Sequence, residues 1–371
     1  MSLVMLYGSL VLTFFAGSIV MWTWLALRLS RGQTIVEFQP RRLVPWGLAD
    51  LFLAFAILVL SSFFASAIFT IARPAQPPVV ASSPVERGDA KQTEEQTTAK
   101  PRRIDALKKL TLPEARQLVS LDSAIKAITA VLTFALITFR LRPTLDDWGL
   151  SLRHWRADWQ IGTGAFLAAF LPMMLLQFVL VNVVGWKYEH ELIELAKSKD
   201  IPFFALAILS AVVMAPLFEE FVFRGLLQGW LDKIFSRQAT DKSILLGSRA
   251  ESSPVIAASS TEGEVVFIAD EHANPYAAPV AYEAAVLAGN TTAEATNRTS
   301  WLSIAISASV FSLLHYSQGP AWIPLLIFGA ALGYVYQRTH RLWPGIIAHF
   351  LLNGQTMVGL LIQTFFGPVE V

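Results

Sequence analysis

The sequence contains no cysteine, which removes several classes of site at once. Disulfide bonds, thiolate metal ligands and a cysteine nucleophile are all excluded. Charge is also scarce, because only 15% of the residues are charged and 29 basic residues nearly balance 28 acidic ones. A net charge of +1 provides no strongly basic surface of the kind that binds a polyanion. We therefore predict no nucleic-acid partner.

Apolar residues, by contrast, are abundant and gathered into long runs. They make up 54% of the 371 residues, and the mean hydropathy is +0.50, which is too apolar for an ordinary soluble enzyme. A helix needs about 20 mostly apolar residues to cross a bilayer core of about 30 Å. The runs predict an all-α protein in the lipid bilayer: a polytopic bundle of about eight transmembrane helices.

The runs also divide the chain into segments. Residues 1–72 hold two extra N-terminal transmembrane helices, and residues 73–121 form a polar linker that ends in a weakly amphipathic stretch. That stretch predicts either an interfacial helix or a solvated one. Residues 122–236 and 301–371 are the two parts of the membrane core. The polar, acidic residues 237–300 between them predict a disordered cytoplasmic insert.

Basic residues are concentrated in the short connections between the predicted spans. Arg28, Arg31, Arg41 and Arg42 follow the first span, and similar groups follow the third and the penultimate spans. Short loops rich in Lys and Arg face the cytoplasm. The bundle is therefore predicted to have an even number of spans, with both ends of the chain outside.

Two carboxylates and a guanidinium interrupt the most apolar part of the core. Glu219, Glu220 and Arg224 lie within or at the edge of a hydrophobic helix that begins near residue 202. One such group costs about 2.5 to 3.5 kcal/mol near the middle of a membrane helix, so three together call for a function. Residues four apart share a helix face, which pairs Glu220 with Arg224. Glu219 is rotated by about 100° from Glu220 and is left free to face a cavity.

Two later apolar helices contribute further polar groups. His315 ends one of them, and His349 and Asn353 share a face of the other. A carboxylate near a histidine can hold a water molecule and accept its proton. Imidazole and amide groups can donate to an oxyanion as a tetrahedral intermediate forms. Hydrolysis of an amide bond is the reaction that this combination suits.

These motifs, in this order on successive membrane helices, resemble those of the CPBP family of CAAX-protease and bacteriocin-processing (Abi) intramembrane peptidases, which includes the Ras-converting CAAX endopeptidases. The motifs are Glu219-Glu220-x-x-x-Arg224, Phe311-x-x-x-His315 and His349-x-x-x-Asn353. The resemblance covers approximately residues 146–367. The N-terminal pair of spans and the insert are additions to the family pattern.

The resemblance implies a role for each motif residue. Glu219 is the general base that activates water, and His315, His349 and Asn353 form the oxyanion hole. Glu220 and Arg224 support them. It further implies a peptide or protein substrate at the membrane and an integral protein of the bacterial cytoplasmic (inner) membrane. We expect no cofactor, with zinc as the alternative.

Two other interpretations fit the same residues. In a zinc-dependent membrane metallopeptidase, Glu219, His315 and His349 would be the three protein ligands of a catalytic zinc ion. A non-catalytic protein, acting in bacteriocin immunity or as a membrane scaffold, would use the buried groups without hydrolysis. A cleavage assay with a Glu219 variant separates the enzyme from the scaffold, and chelation separates the two enzymes.

Overall fold

A computed structural model of the chain describes residues 3–39, 43–72, 110–186, 199–236, 239–249 and 300–366. All regular elements within these ranges are helical. Most of the predicted linker and most of the predicted insert lie outside them. We number the helices in chain order: α1 (Leu3–Ser30), α2 (Leu48–Ala72), α3 (Leu112–Leu141), α4 (Trp155–Phe178), α5 (Ile201–Phe235), α6 (Asp241–Leu246), α7 (Trp301–Leu313), α8 (Trp322–Thr339) and α9 (Trp343–Phe366).

Seven of the described helices are long and apolar enough to cross a membrane, namely α1 to α5, α8 and α9. The eighth predicted span is the shorter apolar helix α7, which has 13 residues. A 3₁₀ turn, Tyr316–Ala321, joins α7 to α8. The chain is thus an integral membrane protein, and the predicted helical bundle of about eight spans is confirmed.

Helix α3 begins earlier than the sequence patterns predicted. The stretch up to residue 121 was assigned to the linker, but α3 starts at Leu112 and continues without a break into the span. A capping box explains this start, because the Thr111 amide donates to the Glu114 side chain at 2.8 Å. The prediction of a separate interfacial helix is therefore wrong for the residues from Leu112 onwards, because they belong to α3.

The beginning of the predicted disordered insert is ordered. Residues Asp241–Leu246 form α6, which is anchored by two side chains from the core. The Trp230 indole donates to the Ile244 carbonyl at 3.0 Å, and the Arg140 guanidinium donates to the Leu246 carbonyl at 2.7 Å. Carbonyls at a helix end accept such bonds readily, which the polar composition did not reveal.

The N-terminal helix α1 is built into the bundle against α4. Pro172 lies inside α4 and has no N–H, so the Ala168 carbonyl four residues before it loses its usual donor. The Trp22 indole of α1 donates to this carbonyl at 3.0 Å. One turn earlier in α1, the Ser18 hydroxyl donates to the Leu167 carbonyl at 2.5 Å. These bonds satisfy backbone groups that would otherwise face an apolar environment.

Buried aromatic residues form the core next to the polar motifs. Phe166 and Phe170 of α4 pack in one cluster with Phe311 of α7 and Phe328 of α8. The rings of Phe311 and Phe328 also lie edge-on to the His349 imidazole, with centroids 5.8 and 5.4 Å away. The apolar core therefore fixes the plane of one of the predicted catalytic rings.

Candidate active site

Helix α5 carries the two carboxylates and the guanidinium in different environments. Glu220 and Arg224 are almost completely buried, and Arg224 Nε lies 3.4 Å from Glu220 Oε2. The same guanidinium donates to the Gly329 carbonyl at 3.0 Å and lies over the Phe311 ring. The predicted pairing of Glu220 with Arg224 is thus present. A buried charge needs such a partner, because desolvation without one is costly.

The Glu219 side chain points away from this pair. It is 16% exposed and lies near both predicted imidazoles. Its Oε2 atom is 3.9 Å from His315 Nε2 and 3.7 Å from His349 Nε2. Helices α5 and α9 and the turn that follows α7 therefore bring one carboxylate oxygen and two ring nitrogens together, as the sequence predicted.

The other nitrogen of each imidazole is held by an acceptor. His315 Nδ1 lies 2.8 Å from the Phe311 carbonyl oxygen, and His349 Nδ1 lies 3.2 Å from Glu220 Oε1. A carbonyl and an ionised carboxylate only accept, so both Nδ1 atoms carry hydrogen. In a neutral imidazole the remaining nitrogen, Nε2, is then an acceptor. The rings can donate from Nε2 only after each has taken up a second proton.

Three hydrogen-bond acceptors consequently face one another around Glu219. Its Oε2 atom is buried and has no hydrogen-bond partner among the described residues. A water molecule suits such a place, because it can donate to the carboxylate and to an imidazole nitrogen. The side chains of Glu219 and His315 are 16% and 18% exposed, whereas that of His349 is 3% exposed. The cluster is therefore open on the side where Glu219 and His315 lie, and closed on the side of His349.

Asn353 lies on the same face of α9 as His349, but its amide has a backbone partner. Its Nδ2 donates to the Ala211 carbonyl at 2.8 Å. Ala211 belongs to α5, before Glu219. One hydrogen of the Asn353 amide is thus used in joining two helices, and the other is left for a ligand.

The donor set around Glu219 is one that zinc accepts in catalytic sites. Two ligands of a tetrahedral zinc ion stand about 3.4 Å apart when each bond is about 2.0 to 2.1 Å long. The two distances to Glu219 Oε2 are wider, at 3.9 and 3.7 Å. Within the described ranges, no group of three or more His, Asp or Glu side chains qualifies as a metal site. As placed, these atoms are therefore spaced more widely than two ligands of one zinc ion.

A cleft of about 300 Å³ lies elsewhere in the bundle, between α4 and α9. Its walls are mostly apolar and include Trp155, Trp159 and Trp343, with Asp158 among them. None of the predicted site residues lines it. A catalytic cavity at Glu219 therefore stays a prediction.

Sequence reasoning missed two contacts of this site. Helical spacing did not reveal that Glu220 bonds to His349, because the contact joins distant helices. It also assigned no role to Asp122, whose carboxylate accepts from Ser210 of α5 at 2.9 Å and pairs with Lys126 at 2.5 Å. Charges four residues apart in an apolar helix were the available signal for that pair.

Comparison with known families gives a match over the part of the chain that holds the motifs. Residues 201–251 and 278–355 match the family model described as Rce1-like, type II CAAX prenyl endopeptidase. The matched ranges include all seven residues named in the three motifs, and the match confirms the resemblance identified from them. Residues 252–277, which it leaves out, lie inside the predicted insert. Searches of curated proteins and of solved structures found no match.

Proposed function

We propose that this membrane protein, part of which matches the Rce1-like CAAX prenyl endopeptidases, is an intramembrane endopeptidase that hydrolyses peptide bonds with water activated by Glu219. The observation that carries the proposal is the convergence of His315 Nε2 and His349 Nε2 on Glu219 Oε2. Together, the family match and the membrane-length helices support a CAAX-type intramembrane protease in general.

Glu219 is the general base. A water molecule that donates to its Oε2 atom stands beside both imidazoles and gives up a proton to the carboxylate as it attacks the scissile carbonyl. The neighbouring Glu220 is unsuited to this role, because it is fully buried and committed to Arg224 and His349. The pairing leaves Glu219 as the carboxylate that can reach a substrate.

His315 and His349 stabilise the negative charge that forms on the carbonyl oxygen. Their Nδ1 hydrogens are held by Phe311 and Glu220, so their Nε2 atoms face the reacting groups. Each ring donates to the oxyanion from Nε2 in its doubly protonated form. As the C–N bond breaks, the proton that Glu219 took from water passes to the leaving amine nitrogen. Donors placed in advance in this way are typically worth a factor of about 10² to 10³ in rate each.

Asn353 completes the oxyanion hole with the amide hydrogen that Ala211 does not use. The peptide substrate enters on the exposed side of Glu219 and His315, from the membrane or its surface. We further propose that no metal ion takes part, and that the protein belongs to a bacterial cytoplasmic membrane.

The experiment compares purified wild type with Glu219→Ala in detergent. Both are incubated with peptides from membrane proteins, and products are identified by mass spectrometry. Glu37→Ala is the matched control, because Glu37 is exposed in the connection after α1. Cleavage by wild type and by the control, but not by Glu219→Ala, supports the proposal. Equal cleavage by all three proteins contradicts the assignment of the base.

A further inference from the structure

The backbone of α5 changes its winding just before Glu219. Residues Leu209–Met214 form a π-helical segment, in which the Ala215 amide donates to the Ser210 carbonyl five residues back. In an α-helix this amide would bond to Ala211 instead. The next residue, Pro216, has no N–H to offer. The Ala211 carbonyl therefore receives no backbone hydrogen bond from either Ala215 or Pro216.

Asn353 of α9 occupies this vacant position. Its Nδ2 lies 2.8 Å from the Ala211 carbonyl oxygen, which is a good hydrogen-bond length. A backbone carbonyl without a donor is costly in an apolar bundle. Because Pro216 has no N–H, the Ala211 carbonyl needs another donor, and the Asn353 side chain of α9 supplies it.

The bond connects the two helices that hold the site. Pro216 precedes Glu219 by less than one turn of α5, and His349 precedes Asn353 by about one turn of α9. A fixed contact between Asn353 and Ala211 therefore limits how far α9 can slide or rotate against α5. The 3.7 Å separation of Glu219 Oε2 from His349 Nε2 depends on that register.

A second side-chain contact holds the π-helical segment from the other side. The Ser210 hydroxyl donates to Asp122 Oδ2 of α3 at 2.9 Å, and Lys126 neutralises the same carboxylate. The segment is consequently fastened both to α3 and to α9. Segments of this kind often occur at functional sites, where they shift the side chains that follow.

We propose that Pro216 is a positioning residue, which withholds a backbone hydrogen from Ala211 so that Asn353 joins α9 to α5 and sets Glu219 against His349. The chain uses the same arrangement at Pro172, where Trp22 serves the carbonyl that the proline leaves without a donor. The inference rests on the proposed function for its kinetic readout alone.

A double-mutant cycle of Pro216→Ala and Asn353→Ala tests the coupling. In the wild-type background, Asn353→Ala lowers the Tm in detergent by at least about 3 °C, because the Ala211 carbonyl loses its donor. In the Pro216→Ala background an amide hydrogen is restored, and the same change lowers the Tm by less than about 1 °C. Equal Tm shifts in the two backgrounds would overturn the proposal.

A distance measurement covers the case in which the double variant does not fold. The chain has no cysteine, so spin labels attached through Leu217→Cys and Thr356→Cys report on α5 and α9 without background. Pro216→Ala releases Asn353 and broadens the distribution of distances between the labels. An unchanged distribution contradicts the proposal, whether or not the protein cleaves a peptide.

The kinetic readout separates positioning from general loss of structure. Pro216→Ala lowers kcat with little change in KM, because the substrate still binds while Glu219 is displaced from His349. A change in KM alone would contradict a positioning role. Absence of any wild-type activity would count against the proposed function. The double-mutant cycle of Tm values and the label distances would still test the role of Pro216.

Discussion

His349 Nδ1 lies 3.2 Å from Oε1 of Glu220, a carboxylate that is itself buried against Arg224. The contact fixes which ring nitrogen carries hydrogen and turns Nε2 towards Glu219. Such an outer carboxylate commonly fixes the tautomer and the orientation of a functional histidine. Glu220 thus has a second task beyond pairing with the guanidinium.

The first prediction concerns this carboxylate. Glu220→Gln lowers kcat for peptide cleavage by about 10- to 100-fold, because the amide no longer fixes the His349 tautomer and ring orientation that turn Nε2 towards Glu219. It also lowers the free energy of unfolding by about 3 to 5 kcal/mol, since Arg224 is left buried without its counter-ion. Steady-state kinetics and thermal unfolding in detergent measure the two effects. Unchanged values of both would show that Glu220 supports neither residue.

The second prediction concerns the N-terminal helix. Trp22→Phe removes the donor to the Ala168 carbonyl and lowers the free energy of unfolding by about 1 to 3 kcal/mol. The loss is much smaller in a Pro172→Ala background, where the restored amide serves the carbonyl. Trp24→Phe is the control, because the Trp24 indole is about as exposed as that of Trp22 but donates no hydrogen bond to a described residue. Equal losses for Trp22→Phe in both backgrounds would show that the proline is not involved.

The third prediction is a pH dependence at the start of α5. The hydrogen bond from Arg116 to Asp200 holds the pKa of the Asp200 carboxyl below its usual value. The pair therefore adds stability above the unfolded-state pKa of about 3.9 and loses it as the pH falls through the lower folded-state pKa.

Asp200→Asn isolates this effect, because asparagine can still accept from the Phe203 amide at the helix start. At neutral pH the wild type has the higher Tm. On acidification to about pH 3 or below, the difference between the two proteins narrows. A Tm difference that stays constant over this range would exclude a role for the ion pair.

The fourth prediction concerns metal ions. If Glu219 activates water unaided, cleavage persists after treatment with a strong chelator, and elemental analysis finds no stoichiometric zinc. Loss of cleavage on chelation, restored by added zinc, would favour the metallopeptidase with Glu219, His315 and His349 as ligands.

Helical spacing predicted those parts of the site that lie along single helices. The pairing of Glu220 with Arg224 follows from residues four apart sharing a face, and Glu219 diverges from them for the same reason. The meeting of Glu219 with His315 and His349 also followed, since charged and polar groups in lipid gather in the bundle interior.

Contacts that depend on the register between helices could not be predicted from the sequence. The bond from His349 to Glu220 requires a particular rotation of α9 against α5, and no spacing encodes it. The bond from Asn353 to Ala211 depends further on a π-helical segment, which the spacing of residue types does not reveal. Apolar content does not reveal the early start of α3, because that start is set by the Thr111 cap.

The most direct test of the account is the kcat of Glu219→Gln on a peptide that the wild type cleaves. Glutamine keeps the size of the side chain but cannot accept a proton from water, so we predict a fall in kcat of about 10² to 10⁴-fold with a Tm near that of the wild type. Glu37→Gln should cleave at the wild-type rate. A Glu219→Gln variant with wild-type kcat would contradict the central claim that Glu219 is the base.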